Sequence, residues 1–213
     1  MRAVKTDDTA DLVRILDEDT ELIEWVGAIN EPIQQFARHV LDSRRLVSDL
    51  TLIVEISDDP TELAAHADLP GWLRDLPGAR DCLQAASDWI DYYATLFDAR
   101  QVGLRLSDIR RPMCPRFHVD SVPCRMIAPL AGVGTEWIAA DEVDRHLLEH
   151  RAADVPNPAG APILAGGSIR QLAPGSIGFF KGCMDDWGVS PGVTHRSPPQ
   201  DAPRLLLTLD RVA

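Results

Sequence analysis

The stretch that decides the fold is Cys114 to Trp137, CPRFHVDSVPCRMIAPLAGVGTEW. Within it His118 and Asp120 stand two residues apart. On a strand, the period of two turns both side chains to one face, close enough to share an ion. A His and a carboxylate side by side, joined by a distant second His, form the facial triad that holds non-haem Fe(II). The second His is His195, in THRSPP, just before the last hydrophobic run of the chain. That run, 203–210, carries Arg204, whose guanidinium suits a bidentate carboxylate. Each residue alone has an ordinary reading: a chance His-x-Asp, a turn histidine, a surface arginine. It is their order and their strand positions that point to a metal site.

Working outward, the residues on both sides of the His-x-Asp belong to a β-rich half. VGLRL (102–106) alternates, and RMIAPL, GTEWI, PIL, SIRQL, SIGFF and RLLLTLD follow the opening segment. Turn signals such as Pro174-Gly175 and Pro191-Gly192 separate them. Many short strands with this punctuation predict a jelly roll or small barrel. In the last strand Arg204 shares parity with Leu206, Thr208 and Asp210, while Leu205, Leu207 and Leu209 face the other way. An arginine turned inward beside apolar residues needs an anionic partner, either a protein acid or a ligand carboxylate.

Other residues near these strands are candidates for the pocket. Arg125 and Lys181 are cations beside apolar runs, suited to an acidic substrate or to the rim. Thr135 and Trp137 share a strand face, Trp137 as pocket wall or core. Cys114 and Cys124 share parity with His118, so a Cys-x3-His-x-Asp-x3-Cys set has the donors for tetrahedral Zn²⁺. Pro115 and Pro123 argue against that parity, since proline ends strands. His146 and His150 have i, i+4 spacing on a charged segment, 140–151, that reads as a short surface helix. The loop 183–192, with Trp187, is placed to hang over the site as a lid. Gly132-Val133-Gly134 and Ala165-Gly166-Gly167 fit turns and match no nucleotide fingerprint.

The N-terminal half reads differently. Residues 11–28 mix apolar runs with acids and suggest strand edges. Asn30 is a good N-cap, Pro32 follows in the first turn, and Ile33, Phe36, Ala37, Val40 and Leu41 form a helical stripe. Leu50 to Ile56 (LTLIVEI) reads as a buried strand. Asp59-Pro60 opens a short helix through His66, which, like His39, is expected in solvent. A longer helix over about 79–99 carries Cys82, Ala86, Trp89, Ile90, Tyr93, Leu96 and Phe97 on one face. The whole is expected to be one α+β domain: 1–100 mostly helical with one or two strands, and 101–213 a barrel that the helices buttress.

Composition sets limits on function. The 213 residues are 45% hydrophobic and 25% charged, with a formal charge of −12. That acidity argues against a nucleic-acid partner. No apolar run has the length to cross a bilayer. The N-terminus, MRAVKTDDTADL, lacks the apolar core of a signal peptide. The four cysteines form no Cys-x-x-Cys pair. A cytoplasmic chain with reduced thiols is the expectation, with a two-fold homodimer as the default assembly.

CPRFHVD, R…GVGTEW, FFKG and the terminal HRSPP…RLLLTLD together resemble a bacterial family, the domain of unknown function 1826. The same residues are similar to the Fe(II)/2-oxoglutarate-dependent oxygenases: a His-x-Asp, a distal His, and an Arg soon after it. The resemblance implies a double-stranded β-helix (a cupin-like jelly roll) in the C-terminal half, with His118, Asp120 and His195 on Fe(II) and Arg204 on 2-oxoglutarate. It implies an oxidoreductase, a dioxygenase acting on a small molecule or peptide. Two alternatives stay open. One is a cupin-like metal protein holding Fe or Zn without 2-oxoglutarate, linked to metal homeostasis. The other is a non-catalytic β-barrel binding protein.

Overall fold

The computed structural model describes residues 2–66, 68–148, 162–184, 191–199 and 202–212. In chain order the strands are β1 (Arg2–Thr6), β2 (Thr20–Trp25), β3 (Leu50–Glu55), β4 (Gln101–Ile109) and β5 (Cys124–Ala131). They continue with β6 (Glu136–Ile138), β7 (Arg170–Gln171), β8 (Ile177–Lys181), β9 (Thr194–Arg196) and β10 (Arg204–Arg211). The helices are α1 (Glu31–Ser43), the single turn α2 (Gly71–Arg74) and α3 (Ala79–Phe97). Among the described residues no helix is long and apolar enough to cross a membrane.

Local chemistry explains the helices. Asn30 Oδ1 accepts the Ile33 amide at 3.2 Å, capping α1, and Ile33, Phe36, Ala37 and Val40 are buried along one stripe. In α3 the expected face is buried at Cys82, Ala86, Trp89, Ile90, Tyr93 and Phe97. Tyr93 also ties two strands together: its hydroxyl donates to the Cys124 carbonyl at 2.6 Å and accepts from the Arg211 amide at 3.0 Å.

Seven strands form one sheet in the order β1-β2-β8-β5-β10-β4-β3, and three form a second, β7-β6-β9. Among the described residues only β1 and β2 pair in parallel. One face of the large sheet, with Leu52, Leu104, Met126, Phe179, Leu207 and Leu209, packs on α1 and α3. The opposite face looks toward the small sheet, and Leu22, Ile127, Phe180, Trp137, Leu172 and Val193 fill the space between. The strand parity expected for β10 holds: Leu205, Leu207 and Leu209 join the helix-side core, while Leu206 packs between the sheets.

Several expectations need correction. The jelly roll is not confined to 101–213, because β1, β2 and β3 supply one edge pair and the other edge of the large sheet. Residues 11–28 hold a 3-10 turn, Thr9–Leu16, and then β2. β3 is an edge strand rather than a buried one: Leu52 and Val54 face the core while Ile53 is 58% exposed. The segment around His118 makes a single bridge to His195 instead of a strand. Residues 140–148 form two 3-10 turns, not a helix. PIL contributes only an isolated bridge, Val143 to Ile163. The short helix expected to run through His66 is one 3-10 turn, Leu63–Ala65. His150 and Trp187 lie outside the described residues.

Candidate metal centre

The site forms where the two sheets meet at one end. His118 and His195 exchange both backbone hydrogen bonds, 3.0 and 2.9 Å, which places the two residues directly opposite each other. Their rings stand 4.6 Å apart between centroids. Each ring is turned by its own backbone: Nδ1 of His118 lies 3.0 Å from the Arg116 carbonyl, and Nδ1 of His195 lies 3.0 Å from the Val193 carbonyl. Nδ1 of each ring is turned to a backbone carbonyl, so both Nε2 atoms face inward.

They face Asp120. Its Oδ1 is 3.6 Å from His118 Nε2, and its Oδ2 is 3.3 Å from His195 Nε2. Asp120 sits past the bridge, its carbonyl held by the Cys183 amide at 3.0 Å. Its two oxygens differ. Oδ1 takes Arg125 Nη1 at 3.0 Å, whereas Oδ2 is buried with no hydrogen-bond partner among the described residues. Ligand atoms from His118, Asp120 and His195 all lie within 4.8 Å of one another, a spacing that can hold one metal ion.

The charges reinforce the arrangement. Burial raises the Asp120 pKa, but the two imidazoles and Arg125 outweigh it and hold the carboxyl well below the usual carboxylate range. Burial works against the His118 cation, yet Asp120 and the Arg116 carbonyl prevail and raise its pKa. Arg125 is itself fixed by a fork onto Asp210, 2.8 Å from Nε to Oδ1 and 2.8 Å from Nη2 to Oδ2.

Arg204 lies at the start of β10 and is 3% exposed. Its Nη2 donates to Thr135 Oγ1 at 3.2 Å, while Nε and Nη1 are buried without partners among the described residues. Desolvation lowers its pKa to about 10. Gly132 makes room for it. With φ at +88°, Gly132 turns the chain out of β5, and a Cβ there would sit 2.8 Å from Arg204 Cγ.

A cavity of about 70 Å³ opens beside the triad, lined by His118, His195, Arg105, Arg125, Thr135 and Thr208 among others. Three candidates fall outside it, Arg204 among them. Lys181 belongs to the helix side of β8, level with Cys124, and its Nζ donates to the Asp17 carbonyl at 2.7 Å. Trp137 is core between the sheets, with the Arg170 guanidinium 5.3 Å above its ring. Cys124 is buried on the helix face of β5, so the four-residue cysteine set is not assembled. Cys114 lines the cavity but does not join the ligand group. His146 is exposed on a 3-10 turn.

The sequence reading missed Arg105, which faces the cavity. Its signal was the alternation of β4: Val102, Leu104 and Leu106 enter the helix-side core, so Arg105 must point between the sheets.

No curated protein matches the chain. Solved structures do share its fold. A rice dioxygenase for auxin oxidation aligns over 100% of this chain and 83% of its own, at 14% identity and a TM-score of 0.52. A prolyl-4-hydroxylase from Pseudomonas putida aligns over 99% and 95%, at 12% identity and a TM-score of 0.53. The Arabidopsis thaliana dioxygenase for auxin oxidation 1, solved with 2-oxoglutarate, aligns over 100% and 92%, at 10% identity and a TM-score of 0.55. The shared architecture is the jelly roll of the 2-oxoglutarate oxygenases. A sequence profile described as "Protein of unknown function (DUF1826)" matches residues 6–210, nearly the whole chain, and the protein belongs to that family.

Proposed function

We propose that the protein is a non-haem Fe(II)/2-oxoglutarate-dependent oxygenase, with His118, Asp120 and His195 as metal ligands and Arg204 as anchor of the co-substrate's distal carboxylate. The observation that carries the reading is the convergence of two Nε2 atoms and one unpartnered carboxylate oxygen within 4.8 Å. That donor set, two imidazoles and one carboxylate on one side of an ion, leaves positions open for substrate and suits Fe(II). Iron bound there with a 2-oxo acid supplies the means to activate dioxygen for oxidation of a small molecule or peptide.

The protein's own residues prepare the site. Arg125 holds Asp120 Oδ1 and so presents Oδ2 to the ion. The Arg116 and Val193 carbonyls orient the two histidine rings. Arg204, with two partnerless nitrogens on a buried guanidinium, offers a carboxylate a bidentate partner, and Thr135 orients it. The neighbours' fold supports the reading. The charge of −12 and the lack of an apolar spanning helix among the described residues support a cytoplasmic protein acting apart from nucleic acid and membranes.

One observation favours the cupin-like alternative, a metal protein that takes no 2-oxoglutarate. Arg204 is not on the wall of the cavity beside the triad. An anaerobic titration with Fe(II) and then 2-oxoglutarate separates the two. The proposal expects a visible metal-to-ligand charge-transfer band, absent in His118→Ala and weakened in Arg204→Met. Iron binding without the band selects the cupin-like protein. Zinc uptake with no iron binding selects metal handling.

A further inference from the structure

Four guanidiniums gather around the cavity and the triad, those of Arg105, Arg125, Arg196 and Arg204. Three carboxylates answer them. Arg125 has Asp120 and Asp210, and Arg196 has Glu136 at 2.7 Å. Arg204 has the hydroxyl of Thr135 and two nitrogens without a partner among the described residues. Arg105 makes no hydrogen bond and no ion pair among the described residues, although it stands between the sheets, level with Thr208. A divalent metal and a doubly charged 2-oxo diacid cancel each other. One positive charge is left over, and it belongs to the guanidinium that nothing holds.

We propose that Arg105 is the substrate-specificity residue and that the substrate is a small monocarboxylic acid with an apolar body. This rests on the function proposed above. Arg105, Ser107 and Thr208 line the cavity together, and the guanidinium fork with two hydroxyls suits the carboxylate head of such a molecule. The wall then becomes apolar through Ile109, and at Met113, which is 46% exposed, it reaches solvent. A tail leaving the head group would lie along these two side chains. A single guanidinium matches one negative charge better than the two of a phosphate monoester. The chain as a whole carries −12, so its long-range field does not gather anions, and selection of an acid falls to this local contact.

The test is isothermal titration of the full-length protein with hexanoate and with uncharged hexanamide, run anaerobically with and without Fe(II) and 2-oxoglutarate. Hexanoate is expected to bind at least tenfold more tightly than the amide. Arg105→Gln erases that difference, Arg105→Lys keeps part of it, and neither changes 2-oxoglutarate affinity. Because Arg105 holds nothing in the fold, its urea midpoint should match that of the natural protein in both variants. Equal binding of acid and amide overturns the proposal, as does unchanged hexanoate binding in Arg105→Gln. A drop in 2-oxoglutarate affinity in Arg105→Gln as large as in Arg204→Met also overturns it, assigning Arg105 to the co-substrate. If the charge-transfer band is missing but the Arg105-dependent preference persists, the oxygenase reading fails and the acid site stands.

Discussion

Replacing Arg204 by Met should make the ligand-free protein more stable while abolishing its response to 2-oxoglutarate. The guanidinium is 3% exposed, and two of its three nitrogens have no partner among the described residues. Burial lowers its pKa from 12.5 to about 10, which corresponds to about 3 kcal/mol of unfavourable desolvation. Methionine matches the length of the stem and fills an irregular site, so the cavity cost is small. Against the gain stands the Thr135 hydroxyl, which loses its donor at about 1 kcal/mol. The balance is a stabilisation of about 2 kcal/mol, or roughly 4–8 °C in Tm for a domain of this size. Urea unfolding at pH 7.5 measures it. With metal present at the same saturating level throughout, 2-oxoglutarate at 100 times Kd should add about 2.7 kcal/mol to the natural protein and nothing to the variant. A variant destabilised by more than about 1 kcal/mol without ligand would refute the reasoning, since it would mean that the guanidinium is already satisfied within the fold.

Three further outcomes follow from packing and burial. Gly132→Ala places a Cβ 2.7 Å from the Pro203 carbonyl at a φ of +88°, so it should cost about 1–3 kcal/mol in urea unfolding and weaken 2-oxoglutarate binding by displacing Arg204. Tyr93→Phe leaves the Cys124 carbonyl without its side-chain donor and the Arg211 amide without its acceptor, a loss of about 1–3 kcal/mol by the same assay, with iron affinity unchanged. Glu21 is buried on β2 and its pKa is raised above 4.5, chiefly by desolvation. The folded state then binds its proton more tightly than the unfolded chain, so stability falls as pH rises from 4.5 through the folded value. Glu21→Gln keeps an acceptor for the Ala140 amide and should be the more stable protein at pH 8, the gap closing toward pH 4.5.

The helices were legible because their signals are local: an N-cap at Asn30 and stripes of period 3.6 in α1 and α3. The first strand was not, and β2 was read only as a strand edge somewhere within 11–28. β2, TELIEW, is buried over most of its length yet carries Glu21 and Glu24, whose burial depends on partners far along the chain. Glu21 accepts from Ala140, and Glu24 accepts from the Ala173 amide at 2.8 Å. An acidic strand with distant donors looks like surface in the sequence. The site divides in the same way. The order His-x-Asp, His, Arg named residues that the fold does bring to one end of the barrel. Parity sets each cation on a strand face, but which face is the cavity side depends on how the strands pack. Lys181 and Arg105 both sit beside apolar strand residues, and only pairing decides that Lys181 turns to Asp17 and Arg105 turns inward.

The unexpected absence of a strand at His118 bears on how the centre works. A full strand from 114 to 120 would place His118 and Asp120 at the same height and orientation on one flat face. Instead a single hydrogen-bonded pair fixes His118 against His195, and the chain then leaves the sheet. Asp120 is held from the opposite direction, by the Cys183 amide and by Arg125, which is anchored on Asp210. The two histidines thus share one support, the bridge between their segments, while Asp120 has two of its own, a loop amide and an arginine fixed on β10. Ordering entropy is already met in the folded chain, so binding an ion need only displace the contacts between Asp120 and the two imidazoles. A donor set supported in this way by the chain's own residues is held in position by the fold.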